Sequence, residues 1–270
     1  MAEKWVDSPR GRTHYWISRR PGAPVLVFLH PLAADHTLFD RQAEYFREEY
    51  TVLAWDAPGH GASRPYADFS MLHCAVELKR ILDAEEIDRC VLVGQSLGGM
   101  IAQTFIAHWP ERVRGFVGIG TWPMSAGFHK KTGLRRPLRR SLRLSPLYPF
   151  RTLHCALSRR AGRTLRARSS LRVAEEVFRR RELVALVRAV CASLLRELDA
   201  GLPACPTLLL VGERDRADGV RALCTAWRDR SGVPLYRVRA AGRCAAADNP
   251  RSANRLIHAF LNSLPLELRR

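Results

Sequence analysis

Short, uniformly apolar runs alternate with amphipathic stretches over the first 121 residues, a rhythm that predicts strands separated by helices. Residues 24–29 (PVLVFL), 52–55 (VLAW), 90–93 (CVLV) and 113–119 read as buried strands, each too short for a globular helix. Residues 4–7 and 12–18 predict a hairpin about Pro9-Arg10-Gly11, an antiparallel edge to the sheet. Helices are predicted over 36–50, over 71–83 with Ser70 as N-cap, and from Leu97 to about Trp109, where Pro110 stops the pattern. This alternation favours right-handed crossovers and a doubly wound, mostly parallel sheet.

The rhythm breaks at Thr121-Trp122-Pro123, and no strand pattern returns before Thr207. The intervening stretch is helical where readable, with Leu134, Leu138 and Leu142 at four-residue spacing and an apolar run from Leu183 to Leu198. Pro137, Pro146 and Pro149 cut it into short pieces. Two further strands, 207–211 and 234–238, precede a last helix led in by Asp248-Asn249-Pro250. The chain thus divides into an α/β core, residues 1–121 and 201–270, and a helical insertion, 122–200.

Gly94-Gln95-Ser96-Leu97-Gly98 lies between a strand and a helix, the context of a nucleophile elbow. A serine lifted out of so sharp a turn needs a strained backbone, and glycines on both sides remove the clashes that would follow. Gly99 adds room for the helix against the sheet. Three other loops leave the carboxyl ends of predicted strands: His30-Pro31-Leu32-Ala33, Asp56-Ala57-Pro58-Gly59-His60-Gly61-Ala62-Ser63, and Gly212-Glu213-Arg214-Asp215. Open parallel sheets place their sites at such ends.

In this order the four motifs resemble the α/β-hydrolase superfamily, over roughly residues 12–121 and 200–264. The resemblance implies an α/β-hydrolase fold with the 122–200 insertion as a helical cap over the pocket. It implies Ser96 as nucleophile, Asp215 as triad acid with Asp218 a nearby substitute, and the backbone N–H groups of Leu32 and Leu97 as oxyanion hole. The triad histidine is expected in the loop after the last strand, just beyond a glycine. Here that loop reads Ala241-Gly242-Arg243-Cys244, so Arg243 stands at the histidine's position.

A guanidinium stays protonated and offers only donors, so Arg243 cannot act as the base. It is expected instead to pair with Asp215. The other histidines that could reach Ser96 are His30, His60, His129, His154 and His258, with His30 at the oxyanion loop. The implied function is hydrolysis of a carboxylic ester, thioester or lactone with an apolar acyl part, weak for want of the histidine. The alternative is a catalytically impaired protein that binds a small molecule or a partner.

Charge adds one further expectation. Residues 128–181 carry seventeen Lys and Arg against Glu175 and Glu176, so +15 of the chain's net +18 lies there. Such an insertion is either a solvated, arginine-rich exterior or a surface for anionic lipid or an acidic substrate, whereas sparse aromatics and no recognisable binding fold argue against nucleic acid. Seven scattered cysteines without a CxxC pair, and no long apolar run, predict free thiols, no metal, no organic cofactor and a cytoplasmic protein.

Overall fold

The computed structural model describes residues 1–125, 128, 135–149, 164, 178–196, 200–215 and 219–265. Eight strands form one sheet in the order β1-β2-β4-β3-β5-β6-β7-β8. They are β1 (Ala2–Ser8), β2 (Gly11–Ser18), β3 (Val25–Leu29), β4 (Thr51–Trp55), β5 (Cys90–Gln95), β6 (Val113–Ile119), β7 (Thr207–Gly212) and β8 (Leu235–Val238). The β1–β2 hairpin is the expected antiparallel edge, and β2 also runs antiparallel to β4. From β4 to β8 every pairing is parallel.

The uninterrupted apolar strands are explained by two covered faces. On one side, α2 (Met71–Ala84), α3 (Leu97–His108) and α6 (Val220–Ser231) pack against Val27, Leu29, Leu92 and Leu209. On the other, α1 (Asp40–Phe46) and α7 (Pro250–Ser263) cover Leu26, Phe28, Val93 and Leu210. Between β6 and β7 the described residues include α4 (Arg135–Leu144) and α5 (Arg180–Arg196), which pack on each other. Much of the predicted 122–200 insertion, together with His129, His154, Cys155 and Asp218, lies outside the described residues.

Ser70 caps α2 as expected, its side chain accepting from the His73 N–H. The single helix predicted over 36–50 is instead a 3-10 turn, His36–Phe39, followed by α1, which ends at Phe46. Asp35 caps the turn through the Thr37 N–H, and Asp56 binds both the backbone N–H and the ring of His36 at 2.8 Å. Tertiary bonds to Asp56 thus tie the first residue of the turn to the loop after β4.

The sheet order reverses between β3 and β5, with β3 leading outward to β4 and β5 to β6. Ligand sites of open parallel sheets lie at such a reversal, beyond the strands' carboxyl ends. There the start of α3 meets the end of β3 so closely that a Cβ on Gly98 would lie 2.0 Å from the Leu29 carbonyl oxygen. Gly98→Ala should therefore cost at least about 3 kcal/mol in a denaturant titration, the upper range for overpacking. An unchanged midpoint would contradict this packing of α3 on β3.

Candidate active site

Ser96 sits between β5 and α3 with φ 50° and ψ −110°, a conformation that a non-glycine residue adopts only under constraint. The constraint is visible in its bonds. Its N–H donates to the Ile119 carbonyl at 2.9 Å, and its carbonyl accepts from the Met100 N–H at 3.2 Å and the Thr121 hydroxyl at 3.0 Å. Gly99 makes room for Thr121, since a Cβ there would lie 2.7 Å from the threonine side chain. Gln103 then ties the segment after β6 to α3, donating to Trp122 O and accepting from Met124 N–H.

The Ser96 side chain is half-buried, and its hydroxyl oxygen accepts a hydrogen bond from Arg243 Nη2 at 3.3 Å. This arginine reaches the serine from the loop after β8. Beside it lies the Trp122 ring, whose centroid is 6.0 Å from the guanidinium carbon, the outer limit of a cation–π contact. Among the described residues Ser96 Oγ has no second hydrogen-bond partner. The N–H groups of Leu97 and Leu32 are likewise bonded to no acceptor there, as an oxyanion hole requires.

Backbone contact between two loops sets where Arg243 and Asp215 lie. A Cβ on Gly212 would fall 1.9 Å from the Gly242 carbonyl oxygen, so the chains touch directly. The Arg214 N–H donates to Ala241 O at 2.8 Å, the Ala240 N–H to the Glu213 carboxylate at 2.8 Å, and the Gly242 N–H to Asp248 Oδ2 at 2.8 Å. Asp215 is buried. Its carboxylate and the Arg243 carbonyl both lie within 4 Å of the position a Cβ on Gly120 would take. Burial pushes the Cys224 thiol up to about 12; the Asp215 charge adds to the rise and the Arg243 charge opposes it.

Of the histidines expected as alternative bases, His129 and His154 lie outside the described residues, and none of the other three is hydrogen-bonded to Ser96. His30 Nδ1–H donates to Pro31 O at 2.8 Å while Nε2 accepts from the Ala57 N–H at 2.9 Å. Both nitrogens are thus used in one neutral tautomer, and burial lowers the pKa of the ring. His60 donates through Nδ1 to Pro58 O at 3.1 Å and packs edge-on against His30 and Phe178. His258 lies on α7 beside Tyr45 and Glu49.

Three supporting residues escaped the sequence reading: Thr121, Gln103 and Trp122 acting through its ring. Only the break in rhythm at Thr121 marked their segment. The carboxylate of Asp56 went unread as well. Burial pushes its pKa up, but the His36 hydrogen bond, the neighbouring imidazoles and the Ala62 N–H outweigh burial and hold it below the ordinary value. Among the described residues no His, Cys, Asp and Glu cluster suits a metal ion, and no helix is long and apolar enough to cross a membrane.

Residues 24–144 match the family described as the alpha/beta hydrolase fold. Over 90 residues the chain is 31% identical to 3-oxoadipate enol-lactonase 2 of Acinetobacter baylyi, a match covering 33% of this chain and 34% of that protein. The chain thus spans about a third of that relative's length. A longer match, 27% identical over 227 residues, covers 79% of this chain and 78% of haloalkane dehalogenase 2 of Mycobacterium bovis. Among solved structures, the enol-lactonase from Burkholderia xenovorans superimposes with a TM-score of 0.78 at 17% identity, covering 96% of this chain and all of that one.

Burial lowers the His60 pKa to about 3, with the nearby His30 contributing. Between the unfolded value near 6.5 and that folded value, the unfolded chain binds a proton that the folded chain refuses, so stability falls on acidification. His60→Gln should reduce the slope of unfolding free energy against pH by about 1.4 kcal/mol per pH unit between about pH 6.5 and 4.5. Denaturant titrations across that window measure the slope. An identical slope in the variant would contradict a neutral, buried His60.

Proposed function

As the chain belongs to the α/β-hydrolase superfamily, we propose that it is a slow serine hydrolase of carboxylic esters, thioesters or lactones with an apolar acyl part. The observation that carries this reading is Ser96 at a strained strand-to-helix turn, with the uncommitted Leu97 N–H beside it. Ser96 Oγ would attack the carbonyl carbon, forming the acyl bond while the carbonyl electron pair moves onto oxygen. The N–H groups of Leu32 and Leu97 would hold that oxyanion. The tetrahedral intermediate would then expel the alkoxide or thiolate, and water would hydrolyse the acyl-serine.

The hydroxyl proton is the difficulty. Arg243 Nη2 donates to Ser96 Oγ and has no lone pair to receive a proton, so the proton would pass to solvent hydroxide. The guanidinium would still stabilise the alkoxide electrostatically, and Asp215 would offset its charge. In a serine protease, losing the serine or the histidine costs about 10⁶ in turnover and leaves about 10³–10⁴ over water. A comparably modest rate is proposed here. The cap assignment for residues 122–200 belongs to this reading, supported by α5, whose Leu186 approaches Gly59 of the loop after β4.

A second reading, a protein that binds rather than converts its ligand, is favoured by one feature. The Arg243 guanidinium, the Ser96 hydroxyl and the free N–H groups all offer protons, a set that suits a carboxylate as well as an oxyanion. One substitution separates the two readings. In a folded Arg243→His variant, activity toward a simple aryl ester should rise about 10²-fold or more, the lower end for a positioned acid–base group. The gain should vanish when Ser96→Ala is added. If Arg243→His brings no gain but abolishes thermal stabilisation by an alkyl carboxylate, the binding reading replaces the hydrolase.

A further inference from the structure

Helix α4 has the sequence RRPLRRSLRL, with five arginines and no acidic residue. Leu138 is buried and Leu142 half-buried toward the core, so the helix rests on this pair. Arg136, Arg140 and Arg143, at i, i+4 and i+7, form one outward stripe, flanked by Arg135 and Arg139; all five are exposed. Among the described residues none of the five has an ion-pair partner. In sequence, residues 128–181 carry seventeen Lys and Arg against only Glu175 and Glu176.

Apolar surface adjoins this stripe. Leu147 is 75% exposed and Tyr148 37%, in the turn that directly follows the helix. That turn is held in place, because Arg180 of α5 donates to the carbonyls of Pro146 and Tyr148 at 2.8 and 3.3 Å. A leucine presented to water on a fixed turn beside a cationic stripe combines two contributions that an interfacial surface needs: charge for the headgroups and apolar area for the acyl boundary. A polyanion such as nucleic acid would use the charge and leave Leu147 without a role.

We propose that α4 and the Ser145–Leu147 turn with Tyr148 form a docking surface for an anionic lipid bilayer, with the arginines on the headgroups and Leu147 inserted between them. The proposal is independent of turnover at Ser96. Helix α5 carries α4 on one side and lines, with Phe69 and Phe178, a cleft of about 1260 Å³ on another. Docking would bring that cleft close to the membrane.

Vesicle flotation of the full chain tests this. Binding is expected to phosphatidylcholine vesicles containing about 30% phosphatidylglycerol, weak on pure phosphatidylcholine, and lost as salt rises from about 0.05 to 0.5 M. Each arginine at such a surface is worth about fivefold in partitioning, so Arg136→Gln/Arg140→Gln/Arg143→Gln should lose about 100-fold. Leu147→Ser should weaken vesicle binding and leave retention on heparin unchanged. These side chains are exposed, and circular dichroism with thermal midpoints verifies folding. Equal binding to neutral vesicles, an unaffected triple variant, or RNA binding that is tighter than vesicle binding and indifferent to Leu147→Ser would each overturn the proposal. Vesicle binding should persist in Ser96→Ala, so its failure and that of the hydrolase reading are told apart.

Discussion

The conformation of Ser96 is the constraint on which the rest of the site depends. A positive φ at a serine costs about 1–3 kcal/mol, and it persists because the Ile119 carbonyl, the Met100 N–H and the Thr121 hydroxyl hold both ends of the residue. Those partners come from β6, α3 and the loop after β6, so the turn is determined by three elements at once. With the turn held, the serine oxygen is raised above the sheet at its reversal point, and the Leu97 N–H has no acceptor to satisfy. The close contact of Gly98 with the end of β3 brings the loop that carries Leu32 to the same place.

Beside this strained serine the chain places the guanidinium of Arg243. A hydrolytic serine ordinarily needs a neighbour that accepts a proton, and the neighbour here is one that can only give. Arg243 is not a loose surface cation that happens to reach the site. Its loop is joined to that of Asp215 by direct backbone contact at Gly212 and by hydrogen bonds on both sides. These contacts fix the loop that carries Arg243 and so aim its guanidinium at Ser96.

Much of this was legible in the sequence, for a physical reason. Strands buried on both faces must be apolar throughout, so β3 to β7 stand out as runs bounded by turns. The elbow shows itself because the turn needs glycines. What stayed hidden depends on tertiary bonds. The break between the His36–Phe39 turn and α1 follows from Asp56, twenty residues away. The expectation that Arg243 pairs with Asp215 gave no hint that the guanidinium donates to Ser96. The role of His30 depends on its tautomer, which its two partners choose: a carbonyl for Nδ1–H and an amide N–H for Nε2.

Ser96 has a hydrogen-bond donor beside it where a hydrolase needs a base, and the pH dependence of its nucleophilicity tests this most directly. Labelling of the unmodified protein by a fluorophosphonate, read as the second-order rate at Ser96 by mass spectrometry, should rise about tenfold per pH unit from about pH 6 to 9 without a plateau, because hydroxide supplies the missing base. A rate that levels off with a midpoint near pH 7 would reveal an imidazole acting on Ser96 in place of hydroxide.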